Sequence, residues 1–161
     1  MPRDSSYSID TSALLDWWVR YYPPKAFRGL VPRMEALIER GRLRASREVQ
    51  EEIQYENEGL RDWLKSQPDF CIDSNEAIQA IVASLMADHH NHEKPDKGIN
   101  GADPFVIGVA AVQAPPWVVV SGEKHGSAEN PKIPWVCSRT RPDPIRHISF
   151  LELILEEAWE L

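Results

Sequence analysis

Four acidic residues lie where an α/β fold places its reactive groups. Asp10 and Glu123 each come just after a predicted strand, and Asp103 opens a predicted helix. Glu52 lies beside the buried stripe of another helix, where a carboxylate is costly to desolvate unless a cation meets it. Open α/β sheets bind ligands outside the carboxyl ends of their strands. We therefore expect these four carboxylates to converge on one crevice.

Some of these acids also have an ordinary structural explanation. Asp10 and the two hydroxyl residues after it can cap the helix that follows, and Asp103 can be an N-cap with Pro104 in the first turn. Carboxylates crowded together, however, repel one another unless a divalent cation neutralises them. An all-oxygen set without His or Cys favours Mg²⁺ or Mn²⁺. Such an ion can hold a phosphodiester, activate a water and stabilise the leaving oxygen.

The elements that position these acids alternate between strands and helices, which predicts an α/β fold with a parallel sheet. The predicted strands are residues 7–9, 43–45, 70–72, 117–120 and 145–148. The first predicted helices are residues 11–21 and residues 29–40, the second ending at Gly41. The next helix is capped by Ser46 and broken by Gly59, and a short helix follows before Pro68. The remaining helices are one capped by Ser74, one starting at Asp103, a single turn at 133–137 and a last helix with a Ser149–Glu152 capping box.

Length and composition predict one domain over residues 1–161, because 161 residues with 42% hydrophobic content support a single core. No apolar run approaches a membrane span, and the N-terminus is too polar for a signal peptide. We therefore expect a soluble cytoplasmic protein with no membrane partner. Cys71 and Cys137 have no metal-site spacing and are expected to be reduced core residues.

The net charge of −7 argues against a protein that coats nucleic acid through its overall field. A basic run between residues 25 and 47 nevertheless follows a group of aromatic residues. We expect Arg42, Arg44 and Arg47 in this run to contact a polyanionic substrate. A solvated helix surface explains the same pattern equally well.

Residues 88–98 form a polar segment with three of the five histidines, His89, His90 and His92. Clustered histidines and acids can bind a transition metal, but the H-E-x-x-H spacing that places two imidazoles on one helix face is absent. We favour a mobile loop, since metal sites need fixed ligands.

Four segments carry a family resemblance, and they occur in the family's order and spacing. They are Ile9-Asp10-Thr11-Ser12-Ala13-Leu14, Ser46 with Glu51-Glu52-Ile53, Ala102-Asp103-Pro104-Phe105-Val106-Ile107 with Ala110-Ala111, and Val119-Val120-Ser121-Gly122-Glu123. With them the chain resembles the PIN-domain family over nearly its whole length. The resemblance implies a three-layer α/β/α sandwich with a central parallel sheet. It also implies a metal-dependent ribonuclease, as in the toxins of toxin–antitoxin pairs.

By position, Asp10 and Asp103 look like the family's most constant metal ligands, and Glu52 like its helix glutamate. Glu123 stands where the family usually has aspartate, and Ser121 looks like its small hydroxyl residue after the fourth strand. The resemblance thus implies that these four acids bind Mg²⁺ or Mn²⁺ and carry catalysis. We expect the hydroxyl residues Ser12 and Ser121 to contact the substrate.

The leading hypothesis is a Mg²⁺- or Mn²⁺-dependent endoribonuclease with an RNA substrate, a cognate antitoxin and a possible homodimer. A second hypothesis is a PIN-like binding module for protein or RNA that lacks turnover. A third is an aspartyl-phosphate enzyme with Asp10 as nucleophile. The haloacid-dehalogenase-like pattern for that chemistry needs a second aspartate two positions later, where this chain has Ser12.

Overall fold

A computed structural model of the protein describes residues 5–94 and 98–161. Its centre is a five-stranded, all-parallel sheet in the order β3-β2-β1-β4-β5. The strands are β1 (Tyr7–Ile9), β2 (Leu43–Ser46), β3 (Cys71–Ile72), β4 (Val118–Val120) and β5 (His147–Ile148). The predicted α/β class is confirmed.

Helices connect and cover the strands. In the described residues they are α1 (Thr11–Leu15), which continues as a π-helix over Asp16–Tyr21, α2 (Leu30–Glu39), α3 (Arg47–Ile53), α4 (Glu58–Lys65), α5 (Glu76–His89), α6 (Asp103–Ala111), α7 (Ile133–Arg139) and α8 (Phe150–Glu156). None of these helices is long and apolar enough to span a membrane.

The central strand β1 shows why the fold has three layers. Successive side chains of a strand point to opposite faces. The hydroxyl of Ser8 donates to the carbonyl of Val106 in α6 at 2.7 Å, whereas the hydroxyl of its neighbour Tyr7 donates to Glu156 at the end of α8 at 3.0 Å. Helices α6 and α8 therefore cover opposite faces of the sheet, as an α/β/α sandwich requires.

An aromatic core holds the first helix in place. The ring of Trp17 in the π-helix is fully buried. It meets Trp63 of α4 edge-on at 4.9 Å between ring centroids and stacks on Phe150 of α8 at 6.1 Å. Burial of large aromatic side chains contributes strongly to core stability. This packing ties α4 and α8 to the helix that begins after Asp10.

Several predicted helix ends are confirmed. The side chain of Ser46 accepts from the N–H of Val49, and Ser149 and Glu152 form the expected capping box. Gly41 after α2 has a φ of 73°, a left-handed conformation that glycine adopts without a side-chain clash.

Three other predicted ends are wrong. Asn75, rather than Ser74, caps α5. Gly59 lies inside α4, because Asn57 caps that helix two residues earlier. Asp103 is the first residue of α6 and Ala102 takes the N-cap position, with no side-chain capping bond. Asparagine caps as well as serine, so sequence preference alone did not decide between neighbours.

The remaining differences are small. The third, fourth and fifth strands begin one to two residues later than predicted, and α7 extends the predicted single turn to Arg139.

Both cysteines are free thiols, with Cys137 buried and Cys71 half-buried. Part of the predicted loop at 88–98, residues 95–97, lies outside the described residues, as do the first four residues of the chain.

Candidate metal centre

The sheet order places the candidate site between β1 and β4. From β1 the chain builds β2 and β3 on one side, then returns to build β4 and β5 on the other. This reversal opens a crevice at the carboxyl ends of the two strands. Asp10 follows β1 and Glu123 follows β4 after two residues, so both acids lie at the crevice.

Three acids meet there and form what we term the acid site, Asp10, Asp103 and Glu123. Each contributes a carboxylate oxygen that lies within 4.8 Å of the other two. Asp10 is only 3% exposed. Its Oδ2 accepts hydrogen bonds, whereas its Oδ1 is buried without a partner among the described residues. A buried polar atom without a partner is costly, and Oδ1 could therefore serve as a ligand atom for a cation.

Ser12 positions Asp10. Its hydroxyl donates to Asp10 Oδ2 at 2.7 Å, and its backbone N–H donates to the same oxygen at 3.2 Å. The Ser12 hydroxyl also accepts from the N–H of Gly122 after β4 at 2.9 Å. The structure therefore uses this hydroxyl within the protein, and the expected contact between Ser12 and substrate stays a prediction.

Asp103 reaches the crevice from the first turn of α6. The N–H of Asn100 donates to its Oδ2 at 3.5 Å, and the side chain is half-buried. A negative charge at a helix N-terminus is favoured by the helix dipole. This effect is smaller than the opposing effects of burial and neighbouring acids, which raise the pKa of Asp103.

Glu123 is held by two neighbouring segments. Its Oε2 accepts from the N–H of Ile133, the first residue of α7, at 2.9 Å. Its own N–H donates to the Ser121 hydroxyl at 3.4 Å, and that hydroxyl lies 2.6 Å from Nε2 of His147 on β5. Ser121 is buried and bonded on both sides, so it supports the segment that carries Glu123.

Glu52 lies beside the acid site but outside its closest group. The side chain is exposed, and the hydroxyl of Thr11 donates to its Oε1 at 2.7 Å. Its negative charge raises the pKa of both Asp10 and Asp103. Of the four predicted acids, the structure thus brings three together and places the fourth at the mouth.

Burial and mutual repulsion change the acidity of the acid site. Burial, with the charge of Glu123 next in size, raises the pKa of Asp103 to about 8. Burial also raises the pKa of Asp10 to about 6, although the hydrogen bonds from Ser12 oppose this effect. Both aspartates therefore hold protons more readily than ordinary carboxyl groups. A hard divalent cation suits these all-oxygen donors and would replace the protons.

Comparison with known proteins gives one result. A family model described as a domain of unknown function (DUF4411) matches residues 7–161. The chain belongs to this family. The match spans all four predicted acids. No curated protein and no solved structure matches the chain.

One acid of this DUF4411 chain that the sequence did not single out, Asp16, lies beside the end of β4. Asp16 lies against Gly122, so closely that a Cβ at Gly122 would overlap the Asp16 carboxylate. Asp16 is 15% exposed and pairs with Arg20 at 2.9 Å. The available signal was spacing, because Asp16 lies one helical turn after Ser12 and so faces the same side.

The three arginines of the DUF4411 chain that were expected to contact substrate make bonds within the protein. Arg42 precedes β2, at the amino end of the sheet and opposite the acid site, where it pairs with Glu157 at 2.7 Å. Arg44 donates to backbone carbonyls, and Arg47 pairs with Asp73 at 2.8 Å. The structure thus does not bring Arg42 to the acids. In a parallel sheet, the residues that precede the strands and the residues that follow them lie at opposite ends of the strands.

Proposed function

We propose that this DUF4411 protein is a divalent-cation-dependent endoribonuclease that hydrolyses RNA phosphodiester bonds. The observation that carries the proposal is the buried, unpartnered Oδ1 of Asp10 within a group of three carboxylates. The PIN-domain resemblance supports RNA as substrate. The same resemblance supports a cytoplasmic toxin that has a cognate antitoxin and assembles as a homodimer.

In this proposal Asp10, Asp103 and Glu123 hold Mg²⁺ or Mn²⁺. When bound, such an ion supplies the positive charge that polarises a phosphate and makes water more acidic. Ser12 binds Asp10 Oδ2 and leaves Oδ1 without a partner among the described residues, so that Oδ1 would be available to the ion. Glu52, whose Oε1 accepts a hydrogen bond from Thr11, would in this proposal accept a proton from water.

The test is RNA cleavage by purified wild-type protein and the Asp103→Asn variant, with Mg²⁺ or Mn²⁺ and with a chelator. Asparagine retains an oxygen that can accept from the N–H of Asn100, so α6 should still form. Loss of the charge should reduce metal-dependent cleavage by about 100-fold or more. The exposed Asp69→Asn is the matched control and should cleave like wild type.

Two results would contradict the proposal. Cleavage that survives both the chelator and Asp103→Asn would indicate a contaminating nuclease or a metal-free mechanism. A folded, metal-loaded wild type that binds but does not cleave varied RNAs would favour the binding module. The toxin assignment is tested separately, because wild type expressed alone should arrest growth and Asp103→Asn should relieve the arrest.

A further inference from the structure

A histidine after α5 is held in one tautomer. The ring nitrogen Nδ1 of His90 lies 2.9 Å from the carbonyl oxygen of Ile99. A carbonyl oxygen only accepts hydrogen bonds, so Nδ1 carries the proton and donates it. In the neutral ring, Nε2 then has a free lone pair. A bond from one ring nitrogen to a backbone carbonyl is the arrangement by which proteins orient a metal-binding histidine.

A second histidine stands next to this ring. The rings of His90 and His92 are 4.6 Å apart between centroids, with their planes at 80°. Two imidazoles bound to one ion at Zn–N distances of about 2.0–2.1 Å have centroids roughly 5 Å apart. His92 is exposed, so its side chain can turn toward the ion without disturbing the core.

The two rings line an open cavity of about 400 Å³ that also has an acidic wall. The acids among its lining residues are Asp88, Glu93 and Glu129. No third ligand atom converges with both rings in the part of the chain that the structure describes, so a turned carboxylate or water must complete the coordination. The wall supplies negative charge for a divalent cation and offers oxygen ligands within the same cavity.

We propose that His90 and His92 bind a nitrogen-preferring divalent cation such as Zn²⁺, in a site separate from the acid site. Imidazole ligands suit Zn²⁺, Ni²⁺ and Cu²⁺, whereas Mg²⁺ prefers oxygen. The two sites therefore select different ions. A bound ion would fix the His90 ring and, through its hydrogen bond, the backbone of Ile99. Ile99 precedes Asp103 by four residues, so the ion would also stabilise the segment that leads into the acid site.

The test is calorimetric titration of the full chain with ZnCl₂, in excess Mg²⁺ so that the acid site is occupied. Wild type should bind one equivalent of Zn²⁺. His90→Asn keeps an amide N–H for Ile99 but lacks Nε2, and should weaken Zn²⁺ binding at least tenfold. His92→Ala should do the same. The exposed His125, which does not line the cavity, supplies the control, and His125→Ala should bind like wild type.

Two further measurements make the proposal falsifiable. Co²⁺ in place of Zn²⁺ should give visible absorption bands of a nitrogen-ligated ion, and His90→Asn should remove them. Long-range ¹H–¹⁵N NMR of the metal-free protein should find the His90 proton on Nδ1. The proposal is overturned if both histidine variants bind Zn²⁺ as tightly as wild type, if Asp103→Asn alone abolishes binding, or if the proton lies on Nε2.

Discussion

The hydroxyl of Ser12 accepts a hydrogen bond from the backbone N–H of Gly122 at 2.9 Å, across 110 residues of chain. This bond fastens the end of β1 to the end of β4. The same hydroxyl donates to Asp10 Oδ2. The Ser12 side chain therefore connects the segments that follow β1 and β4, and it also orients Asp10, the most buried acid of the site.

Ser12→Ala should weaken cation binding while leaving the fold intact. The change removes one hydrogen bond that favours ionised Asp10, so the pKa of Asp10 should rise further and Mg²⁺ affinity should fall about tenfold. The free energy of unfolding should fall by about 1 kcal/mol. Urea unfolding and Mg²⁺ titration measure the two effects. Ser138→Ala, at an exposed serine, is the control. Unchanged Mg²⁺ affinity would mean that Ser12 has only a structural role.

Without a divalent cation, the protein should lose stability as pH rises. Asp103 has an ordinary pKa of 3.8 and a folded-state pKa of about 8. A raised folded pKa means that the native state binds more protons, so its contribution is fully present below about pH 4 and is lost progressively up to about pH 8. Asp10 acts in the same direction up to about pH 6.

The Asp103→Asn variant isolates this effect. In chelator at pH 8 it should be more stable than wild type by roughly 1–3 kcal/mol, because it removes an uncompensated charge. At pH 5 the difference should shrink, and Mg²⁺ should stabilise only wild type. Urea unfolding at several pH values measures these differences. Parallel pH profiles for the two proteins would contradict the assigned pKa shift.

Arg42 should act on stability rather than on RNA binding. Its guanidinium is 15% exposed and pairs with Glu157, which is 9% exposed, at the edge of the sheet opposite the acid site. Arg42→Ala should lower the free energy of unfolding by roughly 2–3 kcal/mol, because Glu157 loses this partner in a partly buried position. The exposed Arg33→Ala is the control. RNA affinity at several salt concentrations should be unchanged, and a reduced salt slope would restore Arg42 as a substrate contact.

Much of the fold follows from local patterns in the sequence. The alternation of strands and helices predicted the α/β class, and the capping preferences of Ser46 and Ser149 and the conformational freedom of Gly41 predicted helix ends that the structure confirms. These features depend on residues within one or two turns of one another. Where neighbours compete, as Ser74 and Asn75 do, the local preferences are too similar to decide.

Some features of the candidate site were evident from the sequence, and others only from the tertiary structure. The position of Asp10 at a strand end and of Asp103 at a helix start was evident from the sequence, because hydrophobic periodicity marks where elements begin and end. The sequence predicted that Glu123 joins these acids, but it did not reveal that Glu52 lies outside the closest group. The spacing from Ser12 indicated the side that Asp16 faces, but only the structure shows that its carboxylate lies against Gly122.

The sequence by itself thus determined the order of strands and helices and some of the residues that end them. Only the tertiary structure decided that Ser12 meets Gly122, that Arg42 pairs with Glu157 and that His90 bonds Ile99. The physical reason is that such contacts depend on strand order, on register and on the path of the connecting segments. These are set by the packing of the whole chain, which no local run of residues specifies.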